Sequence, residues 1–304
     1  MITFNAILGQ EKAKELLVKG WTNKRLSHAY LFRGPAGVGK TSLAKAFGAF
    51  INCAAPGDVG EACGACPSCI KFTSGNHPDL LVIEPEGVSI KIKQIRELKR
   101  NLAYPPFEAR SRIVIIAKVH KMQQEAANSL LKILEEPPPD NVLILTGDQA
   151  SEILPTITSR CQIIPLFPLP PETVAEKLGR ENIPPDQAAT LASVTEGSLG
   201  QARMLAAQNL LPLRQEIIQG LLRQSKDNPA AVETVFDLSE KCAKHKENLP
   251  ELLELLKTWL RDLIMLKKGL AHKVINHDLT ATFHTALERW TVHELFERSK
   301  HLER

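Results

Sequence analysis

The chain has 304 residues, enough for about two domains at roughly 150 residues each, and is 43% hydrophobic and 24% charged, the balance of an ordinary globular protein. That balance excludes a disordered or collagen-like chain. No apolar run approaches the roughly 20 residues of a spanning helix; even 249–270 is cut by Glu251, Lys257, Arg261 and Asp262, and the net charge of +4 falls short of the concentrated basic patch of a dedicated nucleic-acid binder.

The opening residues, MITFNAILGQEKAKE, hold no continuous apolar core behind a basic start, so they do not read as a secretory signal, and a cytoplasmic location is expected. Up to about residue 167 short apolar strands alternate with helical stretches, which predicts an α/β domain with a mostly parallel sheet. The candidate strands are 29–32, 80–84, 113–116, 142–146 and 163–166; such runs of Val, Ile and Leu without alternation suit strands buried on both faces. A helix is expected over 122–135, where Met122, Ala126, Leu130 and Leu134 recur every four residues until Pro137, Pro138 and Pro139 stop it. A proline-rich stretch at 165–172 marks a boundary, beyond which the pattern is all helical: 172–180, 186–195, 199–207, 211–224, 229–245, 249–268 and 279–302. The expected domains are therefore 1–167, a small helical domain at 168–208 and a larger one at 209–304. The last helical pattern still runs at Arg304, so the third domain is expected to be truncated.

Between the first strand and a helix over 41–51 lies Gly34-Pro35-Ala36-Gly37-Val38-Gly39-Lys40-Thr41, the GxxxxGK[ST] pattern in its required strand–loop–helix context. The glycines allow backbone N–H groups to curl round phosphates, Lys40 can reach the β- and γ-phosphates, and Thr41 can hold Mg²⁺. A glycine-rich turn without a ligand is the plainer alternative. Hydrolysis needs an acid for Mg²⁺ at the end of a neighbouring strand and another to polarise water, but the strand at 112–116 runs into Ala117-Lys118. Losing a general base alone typically costs about 10²–10⁴ in rate, so no useful turnover is expected here.

Four of the six cysteines, Cys53, Cys63, Cys66 and Cys69, are spaced C-x9-C-x2-C-x2-C in a Pro/Gly/Ala-rich segment. Four thiolates at such spacing suit a closed, structural Zn²⁺ site, with a redox pair or an iron–sulfur cluster as alternatives. Cys161 and Cys242 read as small core residues. The densest positive region, Lys91, Lys93, Arg96, Lys99, Arg100, Arg110 and Arg112, is either a DNA-facing surface or a solvated helix face.

The order of motifs is informative in itself: Gly9-Gln10, HAYLFRGPAGVGKT at 28–41, the four cysteines, HPD at 77–79, AANSLLKILEEPP at 126–138, LPTITSRCQ at 154–162 and GSLGQA at 197–202. The chain resembles the bacterial DNA polymerase III clamp-loader family of AAA+ proteins from about residue 4 to 207, and WLRDLIMLKKG at 259–269 is similar to that family's collar region. The resemblance implies an AAA+ P-loop domain, a helical lid and a collar. It also implies an arginine finger at Arg160, acting on a neighbouring subunit's nucleotide, and a sensor-like Thr146. The implied cofactors are Zn²⁺ and ATP or ADP. The implied partners are the tau/gamma motor subunits, the delta subunit and, through the complex, the sliding clamp and primer–template DNA, with no membrane. Two departures separate this chain from the motor subunits: Ala117-Lys118 stands in place of Asp-Glu, and Gly200 in place of a sensor arginine, which Arg203, one helical turn on, is not expected to replace. The expectation is a hydrolysis-deficient stator; an ATP-hydrolysing motor and a free-standing zinc-bearing DNA-binding protein are the alternatives.

Overall fold

The computed structural model describes residues 3–57, 60–148, 153–223 and 230–302. It divides into two compact units, Met1–Leu169 and Pro170–Arg304.

The first unit is built on five parallel strands: β1 (Ala29–Arg33), β2 (Leu80–Ile83), β3 (Arg112–Ile116), β4 (Asn141–Gly147) and β5 (Gln162–Pro165), in the order β2-β3-β4-β1-β5. All five expected strands are present. The central β3 and β4 are buried along their whole length, whereas the edge strands β2 and β5 are partly exposed. Successive side chains leave a strand on opposite faces, so Ile113 and Ile115 join a core with Phe32, Phe47, Phe50 and Phe72, while Val114 and Ile116 join Leu98, Leu130 and Leu143 on the other side. Helices α1 (Glu11–Thr22), α2 (Lys40–Ile51) and α3 (Pro67–Ser74) supply the first core. The second core is closed by α4 (Ile92–Leu102) and α5 (Gln124–Glu135), with the short α6 (Pro155–Thr158) beside them.

The second unit is helical: α7 (Pro171–Arg180), α8 (Pro185–Val194), α9 (Leu199–Ala207), α10 (Leu210–Arg223), α11 (Ala230–Lys244), α12 (Leu249–Lys267), α13 (Thr280–Arg289) and α14 (Val292–His301). Prolines at the first turn start α7, α8 and α12, where a missing N–H costs nothing. The single helix expected over 279–302 is instead two. Trp290 is extended, and Thr291 then caps a new helix: its hydroxyl accepts from the Glu294 N–H while the Glu294 carboxylate takes the Thr291 N–H. Among the described residues no helix is long and apolar enough to cross a membrane.

A buried polar network fastens this unit. Arg214, fully buried, donates to Asn276 Oδ1 (2.6 Å) and pairs with Asp278. Asp262, also fully buried, accepts from the N–H groups of Ile275 (3.0 Å) and Asn276 (2.8 Å) and from Asn276 Nδ2 (2.7 Å). Burial pulls the Arg214 pKa down and the two aspartates oppose it. Asp262, in the sequence one of the charges that interrupt the apolar run 249–270, is a core residue whose carboxylate is met by two backbone N–H groups and the Asn276 amide.

Candidate functional site

The phosphate loop leaves β1 at Gly34 and enters α2 at Lys40. Gly34 donates its N–H to Gly147 O at the end of β4 (3.3 Å), and a Cβ there would lie 2.3 Å from the Leu166 carbonyl oxygen, so only glycine fits. Gly39 stands at φ +99°, a conformation L side chains rarely adopt, and so turns the loop into the helix. Gly34 and Gly39 together set the course of the loop from β1 into α2. Lys40 is buried; its ammonium donates to Gly34 O (2.6 Å) and Pro35 O (2.7 Å) and forms an ion pair with Asp148 Oδ1 (2.8 Å). His120 Nε2 lies 3.8 Å from the other Asp148 oxygen.

Among the described residues the end of β3 offers no acid. β3 ends at Ile116, Ala117 is buried, and Lys118 is exposed and left-handed at φ +54°. Thr146, at the end of β4 and buried, accepts the Lys118 N–H on its hydroxyl (3.1 Å), which ties the two strand ends together. Asp148 is a residue of this site that the sequence reading missed: a polar residue just past a strand, it meets Lys40 because β4 lies beside β1.

The four cysteines converge. Their sulfurs all lie within 4.8 Å of one another, with Cys63 and Cys69 4.0 Å apart; four sulfurs about 2.3 Å from one Zn²⁺ would stand about 3.8 Å apart. Cys53 comes from the end of α2, Cys66 is the N-cap of α3, and Cys69 lies in its first turn. Backbone N–H groups of Cys63, Cys66 and Cys69 donate to the sulfurs of Cys53 (3.2 Å), Cys63 (3.3 Å) and Cys66 (3.5 Å) respectively. The N–H groups of Ala65 and Cys66 lower the Cys63 pKa to about 6. Burial raises those of Cys53 and Cys69. At Cys66 burial also pushes upward, but the N–H groups of Ala54 and Cys69 prevail and lower it. The donor set fits a structural zinc site with no open position.

The HPD stretch explains how this module sits on the sheet. His77 Nδ1 accepts the Asp79 N–H (3.1 Å), which leaves Nε2 as the protonated nitrogen, 3.3 Å from Ser68 Oγ in α3, and the ring packs 4.4 Å from that of Phe72. Burial lowers the His77 pKa and keeps the ring neutral. Asp79 is fully buried, and its carboxylate accepts the N–H groups of Phe107 (2.7 Å), Glu108 (2.9 Å) and Ala109 (2.9 Å). Arg112 lies 3.5 Å from it and donates to the carbonyls of Asn101, Tyr104 and Pro105. Arg112 is therefore buried and drops out of the basic surface expected from the sequence; Lys91, Lys93, Arg96, Lys99 and Arg100 remain exposed along α4.

Arg160 follows α6 and is held by Glu135 at the end of α5 (2.7 Å), by Thr156 O (3.0 Å) and by Ser159 Oγ (3.3 Å), with about a third of its side chain exposed. In the second unit Arg203 forms a bidentate pair with Glu181 (2.9 and 2.5 Å) and is thereby committed within that unit. Cys161 is mostly buried, which pushes its thiol up to about 12.

Comparison with known proteins places this architecture. The family model described as "DNA polymerase III, delta subunit" matches residues 9–170, and "DNA polymerase III, delta subunit, C terminal" matches 208–304. The chain is similar to DNA polymerase III subunit delta' of Bacillus subtilis (strain 168), at 33% identity over 89% of this chain and 82% of that protein. It is 35% identical to the delta' subunit of Pseudomonas aeruginosa over 67% of this chain and 63% of that one. To subunit tau/gamma of Haemophilus influenzae it is also 35% identical, over 68% of this chain but only 30% of that protein. The α/β unit carries the expected parallel sheet of five strands, with the phosphate loop between β1 and α2. With the family model matched over more than half of its residues and a relative aligned along most of both lengths, this chain belongs to the delta-prime family of DNA polymerase III subunits.

Proposed function

We propose that this chain is the stator of a clamp loader. It supports motor subunits of the tau/gamma kind and pairs with a delta subunit while the complex loads a sliding clamp onto primer–template DNA in the cytoplasm. The observation that carries this reading is an intact phosphate loop beside a strand end without acids, Ala117-Lys118. Such a site keeps the fold and the subunit interfaces of an ATPase but lacks the groups that orient Mg²⁺ and water. The loop Gly34–Thr41 holds ATP or ADP without turnover, and Cys53, Cys63, Cys66 and Cys69 hold Zn²⁺, which orders a segment too poor in apolar residues to order itself.

Activity then lies in a neighbour's site. Arg160 is presented at the end of α6, and Glu135 fixes its direction. A guanidinium supplied in trans to a γ-phosphate is worth about 10³–10⁵ in rate. The test is the ATPase rate of a reconstituted clamp loader with DNA and clamp. The chain alone should be inactive, and Arg160→Ala should lower the complex's rate at least tenfold. Hydrolysis by the chain alone, abolished by Lys40→Ala, would establish a motor instead. A rate indifferent to Arg160 would leave the fold standing and refute the role.

A further inference from the structure

The phosphate loop already has an anion beside it. Lys40, the residue whose charge should meet the β- and γ-phosphates, is buried and paired with the Asp148 carboxylate at 2.8 Å, and its ammonium also donates to two loop carbonyls. We propose that Asp148 is a built-in counter-ion of Lys40 that stands in for phosphate, so that nucleotide enters this site only by displacing it. This rests on the reading of Gly34–Thr41 as a nucleotide site.

Three observations fix the carboxylate in that place. Asp148 follows Gly147, the last residue of β4, and Gly147 O accepts the N–H of Gly34, the first residue of the loop, so carboxylate and cradle hang on one hydrogen-bonded strand pair. Thr146, two residues before, is tied to Lys118, which holds the end of β4 against the end of β3. His120, in the short 3-10 turn Val119–Lys121 that follows β3, approaches the second Asp148 oxygen at 3.8 Å. The position is thus set by the sheet rather than by a freely moving side chain.

The chemistry follows from charge. A triphosphate brought to Lys40 adds negative charge beside a carboxylate that already neutralises it, in a partly buried site where like charges repel strongly. In a phosphate loop with acids at the strand end, Mg²⁺ relieves such crowding; here the neighbouring strand ends in Ala117-Lys118. The ligand class is therefore one that must out-compete an internal carboxylate: a nucleoside di- or triphosphate, bound weakly and with little dependence on Mg²⁺. The alternative role, Asp148 as a relocated Mg²⁺ ligand, predicts the opposite response to its removal.

The experiment is calorimetric titration of the full, zinc-loaded chain with ATP and with ADP, each in Mg²⁺ and in EDTA. It compares the wild type with Asp148→Asn, Asp148→Ala, Lys40→Ala and Asp148→Asn/Lys40→Ala. Asparagine keeps the shape of the Asp148 side chain, and Asp148→Ala also removes the oxygen by which asparagine could still hold Lys40. Both Asp148 variants should bind ATP at least tenfold more tightly than the wild type, in Mg²⁺ and in EDTA alike, and the gain should vanish in the double variant. Equal or weaker binding by the Asp148 variants, or loss of a Mg²⁺-dependent gain that the wild type shows, overturns the proposal and leaves the nucleotide site standing. A gain that survives without Lys40 also overturns it, because the carboxylate would then act by general charge alone. No binding by any variant removes the proposal together with the nucleotide reading beneath it.

Discussion

Asp79→Asn should loosen the sheet edge that carries the zinc module, by an amount the contacts allow to be worked out. The carboxylate accepts three backbone N–H groups, from Phe107, Glu108 and Ala109, and lies 3.5 Å from Arg112, all within the protein interior. Asparagine keeps one acceptor oxygen and turns an NH₂ group toward donors, so at least one buried N–H loses its partner. Hydrogen bonds to a charged group are each worth about 1.5–3 kcal/mol, and removing one member of a buried ion pair costs about 3–5 kcal/mol. Arg112 is not orphaned, since the carbonyls of Asn101, Tyr104 and Pro105 remain, which places the loss near the lower figure, about 3 kcal/mol. At about 1.4 kcal/mol per tenfold, that is roughly a hundredfold change in an opening equilibrium. The assay is amide hydrogen exchange of the zinc-loaded chain at neutral pH. The amides of 107–109 and of β3 should exchange about a hundredfold faster in the variant, while α7–α14 are unchanged. Unaltered protection at 107–109 would mean that the loop does not hang on the carboxylate, and the reasoning would fail.

Four further outcomes follow from the same geometry. The purified chain should carry one zinc per molecule by elemental analysis; Cys66→Ser or a strong chelator should remove it and raise hydrogen exchange across 53–74 while β1, β3 and β4 keep their protection, because their core is apolar. Arg214→Met should lower the stability of the helical unit by about 3–5 kcal/mol, read from thermal unfolding through Trp259 and Trp290 in a Trp21→Phe background. Acid should weaken the first unit in two stages. His77 is held neutral, so stability is lost as pH falls below its ordinary value of 6.5; the contribution of Asp79, whose N–H donors outweigh the effect of burial and depress its pKa, is present above 3.8 and lost below it. The first stage should be absent in His77→Gln. Glu135→Gln should leave stability within about 1 kcal/mol, as expected for a half-exposed pair, yet lower the reconstituted complex's ATPase a few-fold by releasing Arg160.

What the sequence exposes here is whatever a local pattern can encode. β3 and β4 are legible because strands buried on both faces need unbroken apolar runs, and the phosphate loop and the cysteines are legible because their chemistry dictates spacing. The break at Trp290 also had a local signal, the T-x-x-E box at Thr291–Glu294, which the continuing apolar periodicity masked. The residues that escaped are those whose meaning depends on strand order. Arg112 looks like one more cation in a basic stretch until β3 places it next to Asp79, and Asp262 looks like one more charge interrupting an apolar run until Asn276 folds back on it. Asp148 is the sharpest instance: 108 residues separate it from Lys40, and nothing in GDQ announces an anion for a phosphate loop. The crossover that puts β4 beside β1 creates the pair, and if nucleotide must displace Asp148, as proposed, affinity becomes a property of the sheet as much as of the loop. On the proposed reading, a stator whose Lys40 is already met by Asp148 would keep the shape of its phosphate loop without depending on nucleotide to hold it.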